Sequence, residues 1–148
     1  MIRSRMLLCA CVLALSGGSV SGASSSTYPA NLPQVASQLD CPVYVPAQLP
    51  DGLMADPVGG AMYNAPRHAV SYGFVKTTDP DSVALIITCV RSTPDQAIPD
   101  DGRLTRRPNG LLVLDVTRGE TRISLASNDP AIGEAELRQI AAGLERLP

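Results

Sequence analysis

The sequence predicts an α+β fold, an antiparallel meander sheet of about five strands with a C-terminal helix packed on one face. Three observations carry that expectation. From Gly110 onward two short runs alternate, with Leu112, Leu114 and Val116 sharing one face of the first and Ile123 and Leu125 one face of the second, the period of a half-buried strand. Further on, Leu137, Ile140, Ala141, Leu144 and Leu147 recur at helical spacing while Glu134, Glu136, Arg138 and Glu145 take the opposite side, as on an amphipathic helix. Upstream, Val83 to Val90 is apolar on both faces, the mark of a central strand.

Turn chemistry sets the registers. With Gly119 and Glu120 as the central residues of a type II′ turn, glycine takes the position where φ is positive, Val116 falls opposite Ile123, and Leu114 falls opposite Leu125. A three-residue loop would instead set Asp115 against Ile123. Before this hairpin, Arg103 to Arg107 reads as a strand joined through Pro108-Asn109-Gly110. Taking all three as the loop, with Gly110 left-handed in a bulge, pairs Leu104 with Leu114 rather than with Asp115.

Taken from the start, residues 1–23 have the layout of an export signal: Arg3 and Arg5, an apolar run from Met6 to Leu15, then small residues ending at Ala23. The run is too short to span a membrane, which takes about 20 apolar residues. Lipidation at Cys11 is the competing reading, disfavoured by the short apolar run before it; otherwise Cys9 and Cys11 leave with the signal. Residues 24–40 read as a Ser/Pro-rich tether with a helical turn in Gln34 to Leu39, and 41–148 as the α+β domain. In Cys41-Pro42-Val43-Tyr44-Val45-Pro46 the prolines fix φ and withhold donors, so the segment belongs at an edge or in a crossing loop. Leu49-Pro50-Asp51-Gly52 is a turn. Leu53 to His68 reads as loop with one short strand at Ala61 to Tyr63. Val70, Tyr72 and Phe74 then alternate, a turn covers Thr77 to Ser82, and Val83, Leu85, Ile87 and Cys89 share one side of the next strand. Asn128-Asp129-Pro130 breaks the chain before the last helix, which Gly133 or Asp129 caps.

Composition narrows the function classes. The length of 148 residues fits one domain, and with a single phenylalanine, Phe74, and no tryptophan its core must be aliphatic. The formal charge is −2, and loss of Arg3 and Arg5 leaves the rest more acidic, so no basic footprint for nucleic acid is present. Arg103, Arg106 and Arg107 read as a solvated face. Cys41 and Cys89 remain, and an even pair in an exported chain is most simply a disulfide, worth roughly 4 kcal/mol through loop closure; two free thiols are the competing reading. No CxxC spacing points to a metal.

No catalytic, cofactor-binding or metal-ligating residues stand out. His68 is the only histidine, and no Gly-x-Ser-x-Gly elbow surrounds any serine. Asp79-Pro80-Asp81 and Asp100-Asp101-Gly102 suit tight reversals better than calcium. Walker and dinucleotide fingerprints are missing.

The segment Pro46, Leu49, Pro50 and Gly52, the hairpin turning at Gly119, and the ending Glu136-Leu137-Arg138-Gln139-Ile140-Ala141 with Leu144 resemble the DUF4367-like small bacterial extracytoplasmic domains, which are distantly similar to the lipoprotein-sorting fold of MucB-like sensors. The chain departs from them at Leu112, Val113 and Leu114, where such modules often carry a tryptophan. The resemblance implies a binding or sensory role and transfers no catalytic residues.

These readings converge on an exported, non-catalytic domain that binds a partner protein or an envelope ligand, where the Pro42 to Tyr63 region meets the sheet. An alternative is a lipid or lipoprotein carrier with an apolar cleft between the sheet and Leu137, Ile140 and Leu144. An enzyme built on His68 comes third.

Overall fold

The computed structural model describes residues 26–148, in the order α1 (Leu32–Ala36), β1 (Tyr44–Pro46), β2 (Leu53–Ala55), β3 (Ala61–Asn64), a 3-10 turn (Ala65–Arg67), β4 (Ala69–Lys76), β5 (Asp79–Arg91), β6 (Arg103–Arg106), β7 (Leu112–Arg118), β8 (Thr121–Ser127), α2 (Glu134–Ala142) and β9 (Leu144–Arg146). The expected export signal, its cleavage after Ala23 and Cys11 lie outside the described residues.

Both local hairpins have the registers that their turns dictate. Val116 faces Ile123 and Leu114 faces Leu125 across β7 and β8, with Gly119 at φ 56°. Leu104 faces Leu114 across β6 and β7, with Gly110 at φ 85°. Each glycine takes the positive φ that would strain any residue with a Cβ.

The sheet is larger than expected and is not a meander. It is an open antiparallel sheet of seven strands rather than about five, ordered β2–β4–β5–β8–β7–β6, with β3 also paired to β4. β2 and β3 share one edge of β4 end to end, β2 against Phe74 to Lys76 and β3 against Ala69 to Tyr72. β5 is followed in space by β8, so the chain leaves β5 at Arg91, crosses to the far edge to lay down β6, and returns through β7 and β8. That is a Greek-key path. Alternation shows which residues share a face and says nothing about which strand lies next door.

Three local corrections have physical causes. First, the turn after β4 is only Thr77-Thr78, because Lys76 already pairs with Asp79. Register shifts on either side of Val75 then absorb the surplus residues of β5 and rotate Val83 away from Leu85. Val83 is 41% exposed, whereas Leu85 and Ile87 are fully buried. Second, the expected tether is docked from its middle onward: Leu32 is fully buried, and the Asn31 side chain bonds both the N–H and the carbonyl of Ala61, at 2.8 and 2.9 Å. Third, the last helix stops at Ala142 instead of reaching Leu147. The Gly143 N–H returns to the Gln139 and Ile140 carbonyls, and Leu144–Arg146 extends to pair with β1 as a separate two-stranded ribbon. The proline-bearing segment therefore does run extended, with a partner supplied by the C-terminus.

Apolar residues of one sheet face, among them Tyr72, Phe74, Leu85, Ile87, Ile123 and Leu125, are sealed beneath α2, the ribbon and α1. Leu137 is fully buried and Ile140 is 3% exposed; each such side chain contributes about 1.5–3 kcal/mol through loss of water contact. At the start of α2 the Gly133 N–H donates to the Glu136 carboxylate at 2.9 Å, half of a capping box.

Candidate functional site

Among the described residues, no helix or strand lies over the second face of the sheet. Pairing aligns its side chains in rows that run across the strands. Ser71, Thr88, Ser124, Asp115 and Arg103 stand directly opposite one another from β4 to β6. On one side of this polar row lies an apolar one of Ile86, Ala126 and Val113, and on the other side lie Val90, Arg122 and Thr117. Ile86 is 42% exposed, so the apolar outer side of the central strand faces water.

Hydrogen bonds stiffen the polar row. Ser71 and Thr88 hydroxyls meet at 2.9 Å, and Ser124 donates to the Asp115 carboxylate. The same carboxylate lies 3.6 Å from Arg122 Nε, which is buried and whose N–H has no hydrogen-bond acceptor among the described residues. Arg122 reaches further out through Nη1 to the Gln96 side chain, in the loop that crosses from β5 to β6. That loop overhangs the face, and the Arg103 guanidinium donates to its Ala97 carbonyl at 2.6 Å.

Together these elements bound a groove of about 840 Å³, floored by residues such as Thr88, Val113 and Ser124. A hollow of about 410 Å³ under the overhanging loop continues it, sharing Gln96, Asp115 and Arg122. The volume is in the range of ligand sites. The lining is basic: Arg67, Arg91, Arg107 and Arg122, with His68, against Asp40 and Asp115. Arg91 is neutralised by Asp40 and Glu120, at 3.1 and 3.0 Å. Among the described residues, the guanidinium groups of Arg67 and Arg107 form no ion pair.

His68 sits at the rim with φ 47° and ψ 54°. Among the described residues no other non-glycine residue has positive φ, a conformation that costs on the order of 1 kcal/mol and is retained where the surroundings enforce it. Here the Asn64 side chain accepts from the Arg67 N–H at 3.2 Å, and the His68 Nδ1 meets the Tyr63 hydroxyl at 2.9 Å.

Cys41 and Cys89, the pair expected to form a disulfide, are both buried and stand as free thiols in this structure. They do lie on the packed side of the sheet, where the Cys89 thiol donates to the Tyr44 carbonyl at 3.9 Å. The backbone of the crossing segment thus lies over Cys89. Burial pushes the Cys89 thiol up to about 12, and burial likewise raises Cys41 and Tyr72.

In the Pro42 to Tyr63 region Val43 and Val45 are core residues while Val58 and Met62 are exposed, and the region borders hollows of about 240 Å³ around Leu49 and Gln139 and about 310 Å³ around Leu53 and Glu136. The apolar side of α2 is packed: Leu137 and Ile140, with Leu144 of the strand that follows, are all buried in the same core cluster as Leu114 and Leu125. The outer face escaped sequence reasoning, although the signal was there. Arg122, Ser124 and Ala126 alternate against buried neighbours, and Arg107 belongs to this groove rather than to a plain solvated strand.

No protein-family model and no curated protein matches this chain.

Proposed function

We propose that this chain is an exported, non-catalytic domain that binds a partner protein on the uncovered face of its sheet, in a sensor or accessory role outside the cytoplasm. The observation that carries the reading is the contrast between the two faces. One is sealed by α2, α1 and the β1–β9 ribbon, while the other presents a cross-strand row of hydroxyls, an exposed apolar row and basic side chains around a groove of about 840 Å³. A free sheet face on a rigid scaffold is where a binding surface belongs. Export rests on the signal-like residues 1–23, and the resemblance to DUF4367-like domains points the same way.

The test is face-specific photo-crosslinking in the host. A photoreactive residue at Ile86 or Ser124 should yield one adduct of defined mass, and the same residue at Arg138 or Glu145 on the opposite side should yield none. Equal yields from both sides, or adducts only from the α2 side, would refute the assignment.

A further inference from the structure

Resting on the reading that the open face binds a partner protein, we infer that the groove receives an acidic segment of that partner, with carboxylates on Arg67, Arg107 and Arg122 and apolar side chains against Ile86, Ala126 and Val113. Charge complementarity is the first ground. The chain carries 14 acidic against 12 basic side chains, yet this groove gathers four arginines against two aspartates. Of the four, only Arg91 is fully engaged by carboxylates, at 3.1 and 3.0 Å. Arg122 shares Asp115 with Ser124, and its Nε hydrogen is left without an acceptor. Guanidinium groups make their strongest contacts to planar carboxylates, two bonds at a time.

The rim adds a polar group: His68, whose Nδ1 shares a hydrogen bond of 2.9 Å with the Tyr63 hydroxyl, stands beside Arg67. The left-handed backbone at His68, φ 47°, is held there by the Asn64 contact and sets the ring on the rim.

Apolar exposure selects a peptide over a sugar acid or an inorganic anion. Beside the groove, Ile86, paired with the groove-lining Ala126, is 42% exposed, and Met62, opposite Ser71 on the same face, is 67% exposed. A ligand without apolar groups would leave these in water. Strands spaced about 4.8 Å apart make the row from β4 to β6 roughly 19 Å wide, the span of about six extended residues. A strand lying across that row can place carboxylates on the arginines and alternate side chains on Ile86 and its neighbours.

The test uses the full chain and a fluorescent hexapeptide of alternating glutamate and leucine, read by anisotropy, beside its lysine-leucine counterpart. The glutamate peptide should bind, and its affinity should fall with added salt as screening grows. Arg67→Ser with Arg107→Ser should weaken binding at least tenfold, and Ile86→Ser several-fold, with circular dichroism unchanged. Equal binding of the lysine peptide, indifference to the arginine changes, or stronger binding of citrate or polygalacturonate than of the peptide would overturn the inference. If photo-crosslinks still form at Ile86 while the glutamate peptide fails, the acidic assignment falls and the binding face stands; if neither occurs, both fall.

Discussion

The Thr121 hydroxyl donates to the Pro42 carbonyl oxygen 2.6 Å away, and so ties β8 to the extended segment that crosses beneath it. Thr121 is fully buried, so neither group has water to turn to. Thr121→Val keeps the shape and removes the donor. The lost bond and the stranded carbonyl should cost about 1–3 kcal/mol, read as a lower urea midpoint with an unchanged m-value.

High pH should unfold the protein through its buried acids. Burial raises Cys89 to about 12 in the folded chain from an ordinary thiol value near 9. The folded state therefore holds a proton that the unfolded chain has released. Its contribution is fully present below about pH 9 and is lost as pH rises towards 12, at about 1.4 kcal/mol per pH unit for one such group. Urea midpoints measured from pH 8 to 11 should fall, and Cys89→Ala, though less stable at neutral pH, should show a shallower decline. Parallel slopes for the two proteins would contradict this account.

Low pH acts through Asp129. Its carboxylate lies 2.6 Å from the Lys76 ammonium and accepts the Ala131 N–H at 2.8 Å. Those two contacts, the lysine first, hold its pKa below the usual carboxylate value. Stability from this group is present above the unfolded pKa and is lost as pH falls through the lower folded one. Lys76→Met should cost about 1 kcal/mol at pH 7, and the penalty should shrink as pH falls through the folded pKa and Asp129 takes up its proton. A penalty that stays constant with pH would assign the loss to packing.

Two glycines with nearly equal φ should respond differently to alanine. At Gly102, φ +87°, an added Cβ would lie 2.9 Å from both the Asp115 carbonyl oxygen and a Val116 methyl. At Gly110, φ +85°, it would meet nothing within 4 Å. Gly110→Ala should cost about 1 kcal/mol, the backbone strain alone. Gly102→Ala adds a clash with main chain and core and should cost several kcal/mol, measured by thermal or urea denaturation.

Helix packing separates two neighbours in the same way. Leu137 is fully buried, whereas Arg138 pairs with Glu134 on the outside at 2.8 Å. Leu137→Ala should cost about 3 kcal/mol and Arg138→Ala about 0.5 kcal/mol, compared by urea midpoints.

The sequence alone determined the parts whose physics is local. Gly119 and Gly110 supply positive φ, the turns set the spacing, and alternation does the rest, so Leu114 could be placed opposite both Leu125 and Leu104. The buried stripe of α2 was equally legible, because Leu137, Ile140 and Ala141 fall within one helical period. Only the tertiary structure decided that β5 lies beside β8, that Leu144–Arg146 leaves the helix to pair with Tyr44–Pro46, and that a backbone carbonyl covers Cys89. It also decided which side of an all-apolar strand stays open. Ile86 and Ile87 are indistinguishable in a pattern; their different fates depend on where the distant α2 and the ribbon dock, which is a long-range choice that no turn or period records.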